Sequence, residues 1–263
     1  MIKKTYVVSP GKDSKVVIED LKVKFQEGAT IILGFAGAGL IGTIVTNTLV
    51  EQIQDIKEIG FITSNLLPSI SVFYQGMLKN PFRLYYSSQH NLIIGVVEVP
   101  FQIPSAYNDL AKTICNWALS EEVKAHEILV FQGYHKHGLI DEFPVHYASE
   151  ADMVETFENL DLKKFERGII SGAEATIINE ALTNKLKAAA LFTPAYQIPT
   201  PEGAAAILEV LNSLYNFNID TSKLIEQGNE IKVKMLELAE KSQEFQRQQL
   251  PHDEKEGYTQ YYQ

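Results

Sequence analysis

Apolar residues fall into two patterns along the chain, and the two alternate. "ATIILGFA" (29–36), "NLIIGVVEVP" (91–100), "HEILVFQGY" (126–134) and "AAALFTPAY" (188–196) are short, mostly apolar runs. Strands covered on both faces read this way. Between them lie stretches with helical spacing. In "AGLIGTIVTNTLVEQIQD", Leu40, Ile44, Leu49 and Ile53 recur on one face. Pro104 and Ser105 open "SAYNDLAKTICNWALSEEV", and "SGAEATIINEALTNKLK" forms a further helix. In "PEGAAAILEVLNSLYNF", Pro201 occupies a first-turn position whose amide has no partner, and Glu202 suits the helix dipole. Additional strands are expected at "YVVS", "KVVIEDLKVKF", "EIGFITSN", "SISVFYQGML" and "FRLYYSS". The alternation predicts an α/β fold with a mixed, largely parallel sheet covered by helices. Successive strands between residues 58 and 100 supply the hairpins that make it mixed.

The pattern changes after residue 219. "DTSKLIEQGNEIKVKMLELAEKSQEFQRQQL" is a long polar helix opened by Asp220, Thr221 and Ser222. Leu224, Ile231, Leu238 and Phe245 recur every seven residues, and Gly228, Met235 and Ser242 fill the alternate seam positions. The stripe packs either on the chain's own body or on a neighbouring subunit. Pro251 stops the helix, and the polar "HDEKEG" predicts a flexible linker. Three segments follow: an α/β body over 1–219, a helix over 220–250, and a tail over 251–263.

Composition narrows the functions. The 263 residues carry a formal charge of −10 and one cysteine, Cys115. An acidic chain is a poor generic ligand for nucleic acid or anionic membrane. One cysteine permits no internal disulfide, and neither a signal-like run nor an ~18-residue apolar span occurs. A cytoplasmic setting is expected, with no cofactor.

Candidate chemistry centres on "GFAGAGLIG". Gly37, Gly39 and Gly42 have GxGxxG spacing, between a strand and a helix, with Gly34 just before. A dinucleotide site also wants an acidic residue at the end of the next strand, and that strand ends in Thr63, Ser64 and Asn65. The loop lacks the Lys-Ser/Thr pair of a Walker A motif. The alternative use of these glycines is a tight turn with close helix–sheet packing. His135, His137 and His146, with Asp141 and Glu142, match no zinc spacing and read as solvated loop residues, so no metal is expected. Ser171 lacks a GxSxG context, and Cys115 sits in an amphipathic helix beside Trp117. No catalytic set assembles.

"GFAGAGLIGTIVTNTLV", "GIISGAEATIINEAL", "LFTPAYQIPTPEGAAAILEVLNSLYNFNID" and "LIEQGNEI" together resemble the proteasome assembly chaperone family, in its archaeal homo-oligomeric branch, over about residues 25–240. The resemblance implies a fold similar to the nucleoside phosphorylases without their chemistry, and an ATP-independent, non-enzymatic role. It also implies a homo-oligomer, which the seven-residue stripe and the need for several tails put above a dimer, and as partner the α-subunits of the proteasome core particle. Members carry a C-terminal hydrophobic-Tyr-any motif that docks between adjacent α-subunits. Tyr261, Tyr262 and Gln263 match it in position, with tyrosine where an aliphatic residue is more usual. Two alternatives stay open: a ligase-like enzyme using the glycine loop, and an interaction scaffold with a masked tail.

Overall fold

A computed structural model of the chain describes residues 3–7, 13–100 and 104–249, the segment 238–249 by its backbone alone. The first half contains β1 (Lys4–Val7), β2 (Lys15–Ile18), β3 (Thr30–Gly34), α1 (Ile41–Gln52) and β4 (Lys57–Thr63). A small hairpin, β5 (Val72–Tyr74) and β6 (Met77–Lys79), precedes β7 (Phe82–Ser87) and β8 (Leu92–Val97). The second half runs α2 (Pro104–Ala118), β9 (Glu127–His135), β10 (His146–Ser149), α3 (Val154–Glu158) and β11 (Lys163–Lys164). It ends with α4 (Ala173–Asn184), β12 (Lys187–Ala195), α5 (Pro201–Tyr215) and α6 (Ser222–Gln249).

The main sheet has the order β1-β2-β4-β7-β8-β3-β9-β12-β10-β11. Its apolar runs alternate between two cores. From β3, Ile31 and Leu33 face one core and Ile32 the other; from β9, Ile128 and Val130 oppose Leu129 and Phe131. The first core is closed by α2 and α4, through residues such as Leu110, Ile114, Trp117 and Ile177. The second is closed by α1, α3 and α5, through Ile41, Val45, Phe157, Leu208 and Leu211. Covering both faces is why the period-two polar pattern of a half-exposed strand is missing from β3, β8, β9 and β12.

The sheet is mixed, but the expectation of largely parallel pairing holds only for the block β8-β3-β9-β12 and the short β10-β11 pair. The ladders β1-β2, β2-β4, β4-β7, β7-β8 and β10-β12 are antiparallel. Short connections between β7 and β8 and around the hairpin reverse the chain, and no helix intervenes there to carry it back parallel.

Three local expectations shift. The strand at "KVVIEDLKVKF" ends at Ile18, because the Asp20 side chain accepts the Lys22 N–H at 3.0 Å and turns the chain. "SISVFYQGML" is a hairpin rather than one strand: Gln75 (φ 49°) and Gly76 (φ 78°) are both left-handed, as a two-residue hairpin turn requires. The segment read as loop around His146 contains β10. Helix α6 lays Leu224 and Gly228 against the body, with Ile231 and Met235 half-buried, so the first half of its stripe packs within the chain. The side chains of Leu238, Ser242 and Phe245 lie outside the described residues.

Candidate functional site at the carboxyl ends of the parallel strands

Sheets with parallel strands bind ligands beyond the carboxyl ends of those strands. Here the glycine loop after β3 meets the end of β9, the start of α4 and the turn from β12 into α5. Gly34 allows the closest of these approaches, between β3 and α1: a Cβ there would run into the Gly42 carbonyl and the Thr46 side chain. Gly39 has φ +64°, and a Cβ on it would lie 2.7 Å from Ala195 Cβ and 2.8 Å from Thr200 Oγ1. The loop is also locked by hydrogen bonds. Thr200 N–H donates to the Gly39 carbonyl at 2.9 Å. The Thr200 hydroxyl accepts the Tyr196 N–H and donates to the Ile198 carbonyl, each at 3.0 Å. Gly34, Gly39 and Gly42 are therefore sealed by protein. Gly37 is exposed, and its nearest neighbour on that side is Glu174, with Oε1 3.4 Å from where a Cβ would stand.

Two carboxylates define the electrostatics. Glu174, in the first turn of α4, is 5 % exposed. Burial pushes its carboxyl up to about 7, against a bond accepted from its own N–H. Glu202, in the first turn of α5, is also raised by burial, with its own N–H and Lys232 pulling the other way. Its Oε2 has no hydrogen-bond partner among the described residues, and its side chain packs beneath Gly228 of α6. Amino ends of helices attract phosphate. At α4 and α5 that position is filled by the chain's own carboxyl group, which repels a second anion once it is ionised.

Topology also removes the dinucleotide reading of the loop. In a nucleotide fold the strand after the first helix lies beside the glycine-loop strand. Here β4 is separated from β3 by β7 and β8, roughly 14 Å at about 4.8 Å per strand. Thr63, at its end, pairs with Lys15 on β2 instead. The strands that do adjoin β3 are β8 and β9, and Glu98 just beyond β8 is bound by Arg83 at 2.7 Å.

The remaining candidate residues do not converge. His135 and His137 stack edge to face at 4.5 Å on the chain leaving β9. His146 lies on β10, 4.6 Å from and nearly parallel to Phe165, with Nδ1 buried and unpartnered among the described residues. It is thus part of an aromatic cluster rather than a solvated loop histidine. Asp141 pairs with Lys232 at 2.8 Å. Among the described residues, no three His, Cys, Asp or Glu side chains are placed to share a metal ion. The Cys115 thiol is buried and pushed up to about 12, which closes it to thiolate chemistry. No helix among the described residues is long and apolar enough to cross a membrane. Tyr261, Tyr262 and Gln263 lie outside the described residues.

The PAC2 family model matches residues 31–239. The crystal structure of Pyrococcus furiosus PbaA, described as an archaeal homolog of proteasome-assembly chaperone, is similar with a TM-score of 0.75 and 26 % identity, covering 90 % of this chain and 96 % of that one. P. furiosus PbaB, described as an archaeal proteasome activator, shares the fold at a TM-score of 0.75 with 17 % identity, over 87 % of this chain and 99 % of its own. An uncharacterised protein of Methanocaldococcus jannaschii is 25 % identical over 230 residues, 87 % of this chain and 92 % of that protein. With a family model spanning both sides of the crevice, from β3 to the middle of α6, the chain belongs to the PAC2 family.

Proposed function

We infer that the protein is an ATP-independent proteasome-binding factor, an assembly chaperone or activator of the core particle, working in the cytoplasm as a homo-oligomer larger than a dimer. The observation that carries this reading is the likeness to PbaA over nine-tenths of the chain. The side chains of Glu174 and Glu202 fill the two helix ends where a phosphate would sit, which supports a use of the fold other than phosphate binding. In this reading residues 1–219 form the body, 220–250 a helical spacer and 251–263 the docking tail.

The tail's chemistry suits a pocket between subunits. Tyr262 carries a large rigid ring with a hydroxyl for one hydrogen bond. A carboxylate on Gln263 accepts from a lysine in the pocket. Residues 251–263 reach at most roughly 40 Å at about 3.3 Å per residue. A single tail binds weakly because ordering it costs free energy. Several tails on one oligomer raise effective concentration and add ~10²–10⁴-fold.

The test is surface-plasmon binding to purified archaeal core particle. Tyr262→Ala should remove nearly all binding, and Tyr258→Ala should cost little. One glycine added after Gln263 should be nearly as damaging as Tyr262→Ala, since it moves the carboxylate and leaves every side chain. Equal losses from Tyr258→Ala and Tyr262→Ala, or full binding by the extended chain, would sink the tail reading.

A further inference from the structure

The β5-β6 hairpin stands apart from the main sheet. Phe73 and Leu78 are directly opposed across it and therefore share one face. They are 70 % and 80 % exposed. The other face, with Tyr74 and Met77, leans over α1 and β7 and forms a cleft with Val50 and Tyr85. A two-stranded hairpin is marginal in water without a partner surface, and this one has a partner on its inner face only. The exposed parts of Phe73 and Leu78, the two side chains on that outer face, amount to roughly 300 Å² at about 200 Å² per large residue.

A concave apolar surface lies elsewhere on the same chain. Leu139, Tyr196, Ile198, Met235 and Leu236 line a groove of about 440 Å³ between the chain leaving β9, the chain leaving β12, and α6. Leu139, Ile198 and Leu236 are each about 40 % exposed there. The ladder directions fix where the hairpin is rooted. β4 runs antiparallel to β7, and β7 to β8, while β8 runs parallel to β3. The chain following β4 thus leaves from the end where β9 and β12 finish, and the hairpin folds back over the last turns of α1, with Lys79 reaching Glu58 near the start of β4. From β7 to β12 is four strand spacings, roughly 20 Å, so hairpin and groove are separate surfaces of one copy.

We propose that the hairpin of one copy seats Phe73 and Leu78 in the groove of the next, and that this head-to-tail contact builds the oligomer. Charge favours a second copy as the occupant. Two chains of net charge −10 repel at long range, so a surface without acid is the one best suited to meet a second copy. Residues 64–81 contain no Asp or Glu at all. The hairpin's Lys79 is already paired with Glu58 at 2.6 Å, so docking strands no charge. At the edges, exposed Glu51 beside the hairpin cleft complements Lys136 on the groove rim. A heterologous contact of this kind builds a ring where the rotation between copies closes, and every copy then uses both surfaces.

The contact extends the oligomer of the reading above, and light scattering with core-particle binding keeps the two apart. Wild type is expected above twice the chain mass of 29.5 kDa. Phe73→Asp/Leu78→Asp and Ile198→Asp/Leu236→Asp should each scatter as folded monomers, with unchanged circular dichroism. An equimolar mixture of the two should form a dimer, because each pair retains one intact hairpin and one intact groove. Wild-type mass in either variant, or a mixture that stays monomeric with both chains folded, would overturn the contact. A wild-type monomer that still binds core particle would overturn the contact and leave the tail reading standing. An oligomer of wild type that fails to bind would do the reverse.

Discussion

Glu174 gives the crevice a measurable pH signature. Its carboxyl is pushed from an ordinary 4.5 up to about 7, chiefly because burial beside the glycine loop strips it of water. The unfolded chain holds that carboxyl at its ordinary value, so between the two values the native state binds the extra proton. Stability contributed by the protonated form is complete below pH 4.5 and lost as pH rises through 7. The whole loss is about 3 kcal/mol, from ~2.5 units at about 1.36 kcal/mol per unit. Between pH 5 and pH 8 it is about 2.5 kcal/mol. Glu174→Gln keeps the shape and cannot ionise. Urea unfolding of both proteins at pH 5, 6, 7 and 8, at one chain concentration, isolates the residue from other titrating groups. The Glu174→Gln chain should gain on wild type by about 2.5 kcal/mol from pH 5 to pH 8. Stability curves that stay parallel to within about 0.5 kcal/mol would show that Glu174 is solvated and that the crevice is open.

Two further outcomes bear on the same place. Gly39→Ala sets a Cβ against Ala195 and Thr200 at a left-handed φ, and should cost about 2–4 kcal/mol by urea unfolding, well above an exposed Gly→Ala change. ATP and NAD should show no heat of binding by calorimetry at millimolar concentration. A micromolar dissociation constant abolished by a folded Gly37→Val chain would refute the carboxylate argument, since Gly37 is the exposed glycine beside Glu174.

Much of the fold is legible in the chain because burial on both faces leaves a local trace. Unbroken runs at β3, β8, β9 and β12 announce strands under helices, and Pro104 and Pro201 mark two helix starts where the structure has them. What was not legible depends on distant partners. His146–Ser149 becomes a strand by pairing antiparallel with Ala189–Phe192, more than forty residues on, and nothing local compels it. The hairpin was written in Gln75–Gly76, but glycine preceded by glutamine is a weaker turn signal than Asn-Gly. The glycine spacing was visible, whereas its consequence turned on β4 being carried past β7 and β8. Glu174 gave no distinct sign either. An acid in a helix's first turn is common, and only the approach of the loop after β3 makes this one buried.

The same crevice bears on how α6 leaves the body. Its first turns are fixed: Leu224 is buried, and Gly228 is buried against Glu202 so closely that any side chain there would displace the carboxylate. Contact then fades along the helix, through half-buried Ile231 and Met235 to exposed Leu236 and Glu237. A helix of 28 residues at about 1.5 Å per residue spans roughly 42 Å. It is therefore anchored at one end, on the edge where an α/β enzyme would hold its substrate. In this chain that edge holds a carboxylate, a locked glycine loop and the root of a long helix. Each occupies space beyond the carboxyl ends of the parallel strands. The chain's own carboxyls at the starts of α4 and α5, with the root of α6 against Glu202, leave little room for a phosphate at those two helix ends.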